Sequence, residues 1–150
     1  MIEEFVLAQN LRDILVAAAQ EAFPHECCGL IEGVRSQSLV RALALHPTRN
    51  LASRPERFEI DPAAHIALLK TLRGSGREIV GCYHSHPNGS TELSAWDRQG
   101  AFEKDFLWLL IAIVPSHEGL PTAKRFSVTL ASFEAGPDGA RAVPLSVPAP

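Results

Sequence analysis

Residues 78–83, Glu-Ile-Val-Gly-Cys-Tyr, run straight into His84-Ser85-His86-Pro87, and no other stretch restricts the possible folds of this chain so tightly. Residues two apart on an extended segment point to the same face, so His84 and His86 aim their imidazoles at one point while Ser85 faces away. Pro87 then ends the strand. Further along, Ser94-Ala95-Trp96-Asp97 supplies a carboxylate that can complete a three-residue metal site across a loop. Three protein ligands leave one tetrahedral position open, which separates a catalytic zinc site from a structural one. Ser94 and Asp97 also spell S-x-x-D, the N-terminal capping box of a short helix through about residue 102. The two readings are compatible, because a helix start is a rigid place from which to present a ligand and a hydroxyl. An H-x-H with a downstream Asp does not establish a metal site by itself.

Around that stretch the pattern alternates between helical and extended periods. Leu11, Ile14, Leu15, Ala18, Ala19 and Ala22 recur at helical spacing over residues 10–22, which predicts an amphipathic helix packed on a sheet. Pro24 stops it, and residues 26–33 read as a strand closed by Gly33. A second strand is expected over 39–45. A polar loop over 47–55 follows, holding Asn50, Ser53 and Arg54, and residues 57–60 resume extended alternation. Asp61 and Pro62 sit where an N-cap and first helical residue belong, so a helix is expected to about residue 73, burying Ile66, Leu69 and Leu72 and ending at Gly74. The nearly unbroken apolar run over 106–114 suits a central strand buried on both faces. Residues 125–133 and 141–145 read as a hairpin turned by Pro137-Asp138-Gly139, and the tail from about residue 144 is expected to fray. The predicted order is α-β-β-β-α-β-α-β-β-β, in one domain spanning 1–150.

Composition narrows the function classes. A chain of 150 residues, 46% hydrophobic and 21% charged, has the profile of one soluble domain with a real core. Its formal net charge of −3 and its lack of any Lys/Arg cluster argue against a nucleic-acid binder. The longest uncharged apolar run, 106–115, falls far short of the roughly 18 residues a membrane span needs. The Met-Ile-Glu-Glu start does not suit a signal peptide, so a cytoplasmic address is expected. Three cysteines, Cys27, Cys28 and Cys82, form neither a disulfide framework nor a C-x-x-C pair, and are expected to be reduced and buried.

Pro24-x-Glu26-x-Cys28-Gly29-Leu30, taken with His84-Ser85-His86-Pro87 and Ser94-x-x-Asp97, resembles the signature of the JAMM, or MPN-plus, zinc metalloproteases. Asn50 and Arg57-Phe58-x-Ile60-Asp61-Pro62 resemble the stretch bordering the active site in that family. The likeness is to its compact prokaryotic branch. It implies an α/β fold, an αβα sandwich with a mixed, curved central sheet flanked by helices, of cytidine-deaminase-like architecture. It also implies one Zn2+ per chain held by His84, His86 and Asp97, with Glu26 as general acid/base and Ser94 steadying the oxyanion. Members of that branch act on ubiquitin-like sulfur-carrier proteins, trimming residues after a Gly-Gly tail or releasing cysteine built on the carrier's C-terminus. No nucleic acid or membrane partner is expected.

Several residues carry a second reading. Taken locally, Glu26 is an exposed strand-edge carboxylate, and only its union with the histidine segment changes that. Cys28 reads as a buried structural thiol, and His25, His46, His65 and His117 as surface or helix residues. The 47–54 loop is a candidate wall for a substrate channel, with Asn50, Ser53 and Arg54 as contacts, and Trp96 sits beside the site. Two other function classes compete with a peptidase: a non-catalytic MPN-type protein-binding scaffold, and another zinc hydrolase such as a deaminase. The deaminase pattern uses a P-C-x-x-C segment that is absent here.

Overall fold

The computed structural model describes residues 1–100, 103–116, 126–136 and 139–150. In chain order its elements are β1 (Glu4–Val6), α1 (Gln9–Ala22), β2 (Cys28–Ser36), β3 (Leu39–Thr48), α2 (Pro62–Leu72), β4 (Glu78–His86), α3 (Ala95–Gln99), β5 (Leu107–Pro115), β6 (Phe126–Gly136), β7 (Gly139–Val143) and β8 (Leu145–Ser146). The expectations for His117, for Pro137 and Asp138, and for a helix reaching residue 102 fall on residues outside those described. No helix among the described residues is long and apolar enough to cross a membrane.

All eight strands form one mixed sheet, in the order β7-β6-β5-β4-β2-β3-β1-β8. β4 lies at its centre, antiparallel to β2 and parallel to β5. Leu107, Leu109, Ile111 and Ile113 of β5 pack on one face with Leu11, Leu15 and Ala19 of α1. Leu30, Cys82, Trp108 and Leu110 pack on the other face with Leu68 and Leu72 of α2. Helices on both faces of a curved sheet match the expected αβα arrangement, and β5 is buried on both sides as its unbroken apolar run predicts.

Gly29 and Tyr83 are cross-strand partners on β2 and β4. The buried Tyr83 ring lies over Gly29 so closely that a Cβ there would overlap it. A glycine is therefore required in the Cys28-Gly29-Leu30 segment by packing.

Four local expectations differ. Residues 57–60 form no strand; a single bridge joins Asn50 to Ile60, because the Asn50 side chain takes the backbone groups a ladder would have used. In α2, Leu68 and Leu72 face the sheet while Ile66 and Leu69 are 53% and 50% exposed. The polar residues of that helix share no single face, so its periodicity does not select the inward stripe. β1 pairs parallel with β3 and β8 and was too short to read from alternation. The tail does not fray at residue 144: the Phe5 and Leu7 amides donate to the Pro144 and Ser146 carbonyls at 2.9 Å each. Pro144 has no N–H and interrupts the expected strand, splitting it into β7 and β8. These lie at opposite ends of the strand order, so a one-residue link joins the two edges and the sheet curls to near closure.

Candidate metal centre and active site

His84 and His86 end β4 with their rings on the α2 face, and Ser85 points to the opposite face, as period-two alternation requires. β4 is hydrogen-bonded on both sides, so the histidines stand on a rigid base. Asp97 reaches them from the first turn of α3. Its Oδ2 lies 3.1 Å from His84 Nε2 and 3.1 Å from His86 Nε2, and the two nitrogens are themselves 3.1 Å apart. The capping box is also formed: Asp97 N donates to Ser94 Oγ at 3.0 Å, and Ser94 N donates to Asp97 Oδ2 at 2.9 Å. One carboxylate oxygen thus serves both readings of S-x-x-D.

The donor set fits a divalent metal ion. Four ligands at roughly 2.0–2.1 Å in a tetrahedron stand about 3.3 Å from one another, close to the spacing of these three atoms. His86 Nδ1 lies 3.0 Å from the Ser90 carbonyl, which can only accept. Neutral His86 therefore carries its proton on Nδ1 and turns the Nε2 lone pair toward His84 and Asp97, an orientation metal-binding histidines use. His84 is fully buried; its ring stacks on Phe58 at 4.0 Å and meets the edge of Trp108 at 6.0 Å. Burial would raise the Asp97 carboxyl, but the two histidine rings beside it and the donated Ser94 amide outweigh burial and hold Asp97 well below the usual carboxylate range.

Glu26 precedes β2 and is 5% exposed. It is placed by a clamp between strands: the Cys27 amide donates to Ser85 Oγ at 2.8 Å and the Ser85 amide donates to the Cys27 carbonyl at 3.0 Å. Single ligand atoms of Glu26, His84 and His86 all lie within 4.8 Å of one another. Glu26 Oε1 has no hydrogen-bond partner among the described residues. Burial pushes the Glu26 carboxyl up to about 8, opposed by His86 and reinforced by the charges of Asp97 and Glu56. A carboxyl raised into the neutral range, beside a cluster of metal-ligating type, can take and return a proton.

Two clefts flank the cluster. One, of about 430 Å³, is lined by Glu26, His86, Ser94, Pro55, Glu56 and Glu92 among others. The second, about 530 Å³, is mainly apolar, with Phe58, Ile60, Trp96, Phe106 and Trp108 in its walls and Asp97 at its edge.

Among the expected substrate contacts, Trp96 lines the apolar cleft, 41% exposed and stacked under the Arg57 guanidinium at 4.2 Å. Asn50 does not offer its side chain to a ligand. Its amide donates to the Glu26 and Arg57 carbonyls, and its oxygen accepts from the Ala52 and Glu59 amides. Ser53 and Arg54 are exposed and line neither cleft; Arg54 lies 3.8 Å from Glu56. The loop reaches the site instead through Pro55 and Glu56. Of the residues missed from sequence, Ser85 was detectable as the outward member of H-x-H, and Phe58 lay within a noted segment. Glu56 and Glu92 carried no signal.

Residues 8–128, which include Glu26, His84, His86, Ser94 and Asp97, match the family described as prokaryotic homologs of the JAB domain. The chain is 33% identical over 109 residues to a desampylase of Haloferax volcanii, covering 69% of this chain and 77% of that protein. A desampylase of Pyrococcus furiosus is 29% identical over 101 residues, covering 67% and 68%. A solution structure of a protein from Desulfitobacterium hafniense superposes with a TM-score of 0.79 at 27% identity, over 97% of this chain and 94% of that one. Fold and relatives together define a JAMM-type hydrolase. The chain belongs to the prokaryotic JAB-domain family.

Proposed function

We propose that this chain is a single-domain zinc peptidase or isopeptidase, hydrolysing the bond after the C-terminal Gly-Gly tail of a ubiquitin-like protein of the sulfur-carrier type. The likeness to desampylases supports a ubiquitin-like substrate, and three free cysteines suit a reducing cytoplasm. The observation that carries the reading is the convergence of His84 Nε2, His86 Nε2 and Asp97 Oδ2 at 3.1 Å, with the Glu26 carboxylate beside them.

In this reading His84, His86 and Asp97 hold one zinc ion. The ion supplies Lewis-acid polarisation and a water acidic enough to attack at neutral pH. Glu26, whose Oε1 has no partner among the described residues, takes a proton from the attacking water and delivers it to the amide nitrogen as the C–N bond breaks. Ser94 Oγ accepts from Asp97 N, so its own hydroxyl hydrogen remains to be donated to the developing oxyanion, worth roughly 3 kcal/mol.

The test is metal content by elemental mass spectrometry on the native protein, His84→Ala and Glu26→Gln, beside cleavage of a small ubiquitin-like protein extended past Gly-Gly. About one zinc in the native protein and in Glu26→Gln, almost none in His84→Ala, and cleavage by the native protein alone is the expected pattern. A native protein that takes up no zinc, or that loads zinc and leaves every such tail intact, overturns the reading.

A further inference from the structure

The two clefts beside the histidines differ in charge, and the difference bears on what the hydrolase releases. Hydrolysis adds the water oxygen to the carbonyl carbon and breaks the C–N bond, whose electron pair stays on nitrogen with one added proton. In the function proposed above, on which this inference rests, Glu26 supplies that proton, so the departing amine lies on the Glu26 side. That side is the cleft of about 430 Å³. It carries three carboxyl side chains, Glu26, Glu56 and Glu92, and no Lys or Arg among its described lining residues. Glu26 is itself 95% withdrawn from solvent, with Oε1 unpartnered among the described residues. Arg54 stands 3.8 Å from Glu56, but the two side chains are 64% and 61% exposed, a pairing that solvent largely screens.

We propose that this cleft holds the leaving amine, and that Glu56 and Glu92 select against an amine bearing a neighbouring carboxylate. A cysteine or other free amino acid joined through its α-amine places a carboxylate two bonds from the scissile nitrogen, facing these glutamates. A lysine joined through its side chain has no such group nearby, and cationic neighbours of that lysine are attracted. The cleft therefore directs the enzyme to side-chain isopeptides, and disfavours C-terminal amino-acid adducts.

Three conjugates of one ubiquitin-like tail test this: Gly-Gly joined to the side chain of Nα-acetyl-lysine amide, to the α-amine of cysteine, and to the α-amine of cysteine amide. The last two differ only in the carboxylate charge. Zinc-loaded native enzyme is expected to favour cysteine amide over cysteine by about threefold in kcat/KM at low salt, as suits exposed charges, with the ratio shrinking as salt rises. Glu56→Gln/Glu92→Gln, at exposed positions, should bring the ratio near one. Glu26→Gln, which cannot turn over, should show the same order in calorimetric binding of the intact conjugates. A native ratio near one, or a ratio the double variant leaves unchanged, overturns the proposal while leaving the peptidase reading standing. If none of the three conjugates is cut or bound, that reading fails and the cleft assignment with it.

Discussion

Asn50 donates its side-chain amide to the backbone carbonyl of Glu26 at 3.0 Å, so the residue that braces the 51–59 loop also holds the carboxylate facing the histidines. The same amide reaches the Arg57 carbonyl, and its oxygen collects the Ala52 and Glu59 amides. Asn50→Ala should therefore cost about 2–3 kcal/mol in urea unfolding, since several backbone groups lose a partner together. Because Asn50 hydrogen-bonds to none of the three proposed zinc ligands, zinc content should hold while kcat falls more than KM rises. Unaltered kcat would show that the loop does not position Glu26.

Asp97 joins two tasks through one oxygen. Asn at this position keeps the size and an oxygen for the Ser94 amide but removes the charge that offsets the ion. Asp97→Asn should weaken zinc binding by more than the roughly 10- to 100-fold that loss of a ligand's hydrogen-bonded neighbour costs, read by competition with a chromophoric chelator. Helix capping should survive, with little change in the far-ultraviolet circular dichroism. Retained affinity would remove Asp97 from the ligand set.

The Glu26 carboxyl sits at about 8 in the metal-free fold against 4.5 for a free side chain. A carboxyl raised on folding contributes stability that is fully present below pH 4.5 and is lost as pH rises through 8. Glu26→Gln stays neutral throughout. In the metal-free protein the variant should gain on the native chain between pH 5 and 9, by an amount on the order of 2–4 kcal/mol. Chemical denaturation across that range reads the difference, and parallel curves would mean that Glu26 is not desolvated.

Helix α2 offers a packing test. Leu68→Ala empties a buried position against the sheet and should cost about 2–4 kcal/mol. Ile66→Ser and Leu69→Ser change exposed positions and should stay within about 0.5 kcal/mol. Equal costs at Leu68 and Ile66 would show that the helix is rotated from the orientation found here.

Much of the candidate site was legible because its geometry is local. Alternation along β4 puts His84 and His86 on one face whatever surrounds them, and S-x-x-D places Ser94 and Asp97 at a helix start by hydrogen bonds four residues wide. Asp61 with Pro62 starts α2 for the same reason, and the apolar run at 106–114 could only be an interior strand. Those are properties of backbone period and short-range capping, and the residues alone determined them.

The tertiary structure decided everything that depends on which distant segments meet. Glu26 is read locally as a surface carboxylate; the Cys27–Ser85 clamp, joining residues 58 apart in sequence, buries it beside the histidines. Asn50 turned out to brace backbone, and Glu56 to line the cleft, because the loop folds back onto the start of β2. A helix whose polar residues, His65, Lys70 and Thr71, share no single face cannot reveal its inward stripe, so the sheet chose Leu68 and Leu72 over Ile66 and Leu69. The tail was held for a similar reason: its two strand residues are stable only because β1, some 140 positions earlier in the chain, presents an unpaired edge. Local sequence encodes periods and caps, whereas burial, partner choice and charge environment arise only when the chain closes on itself.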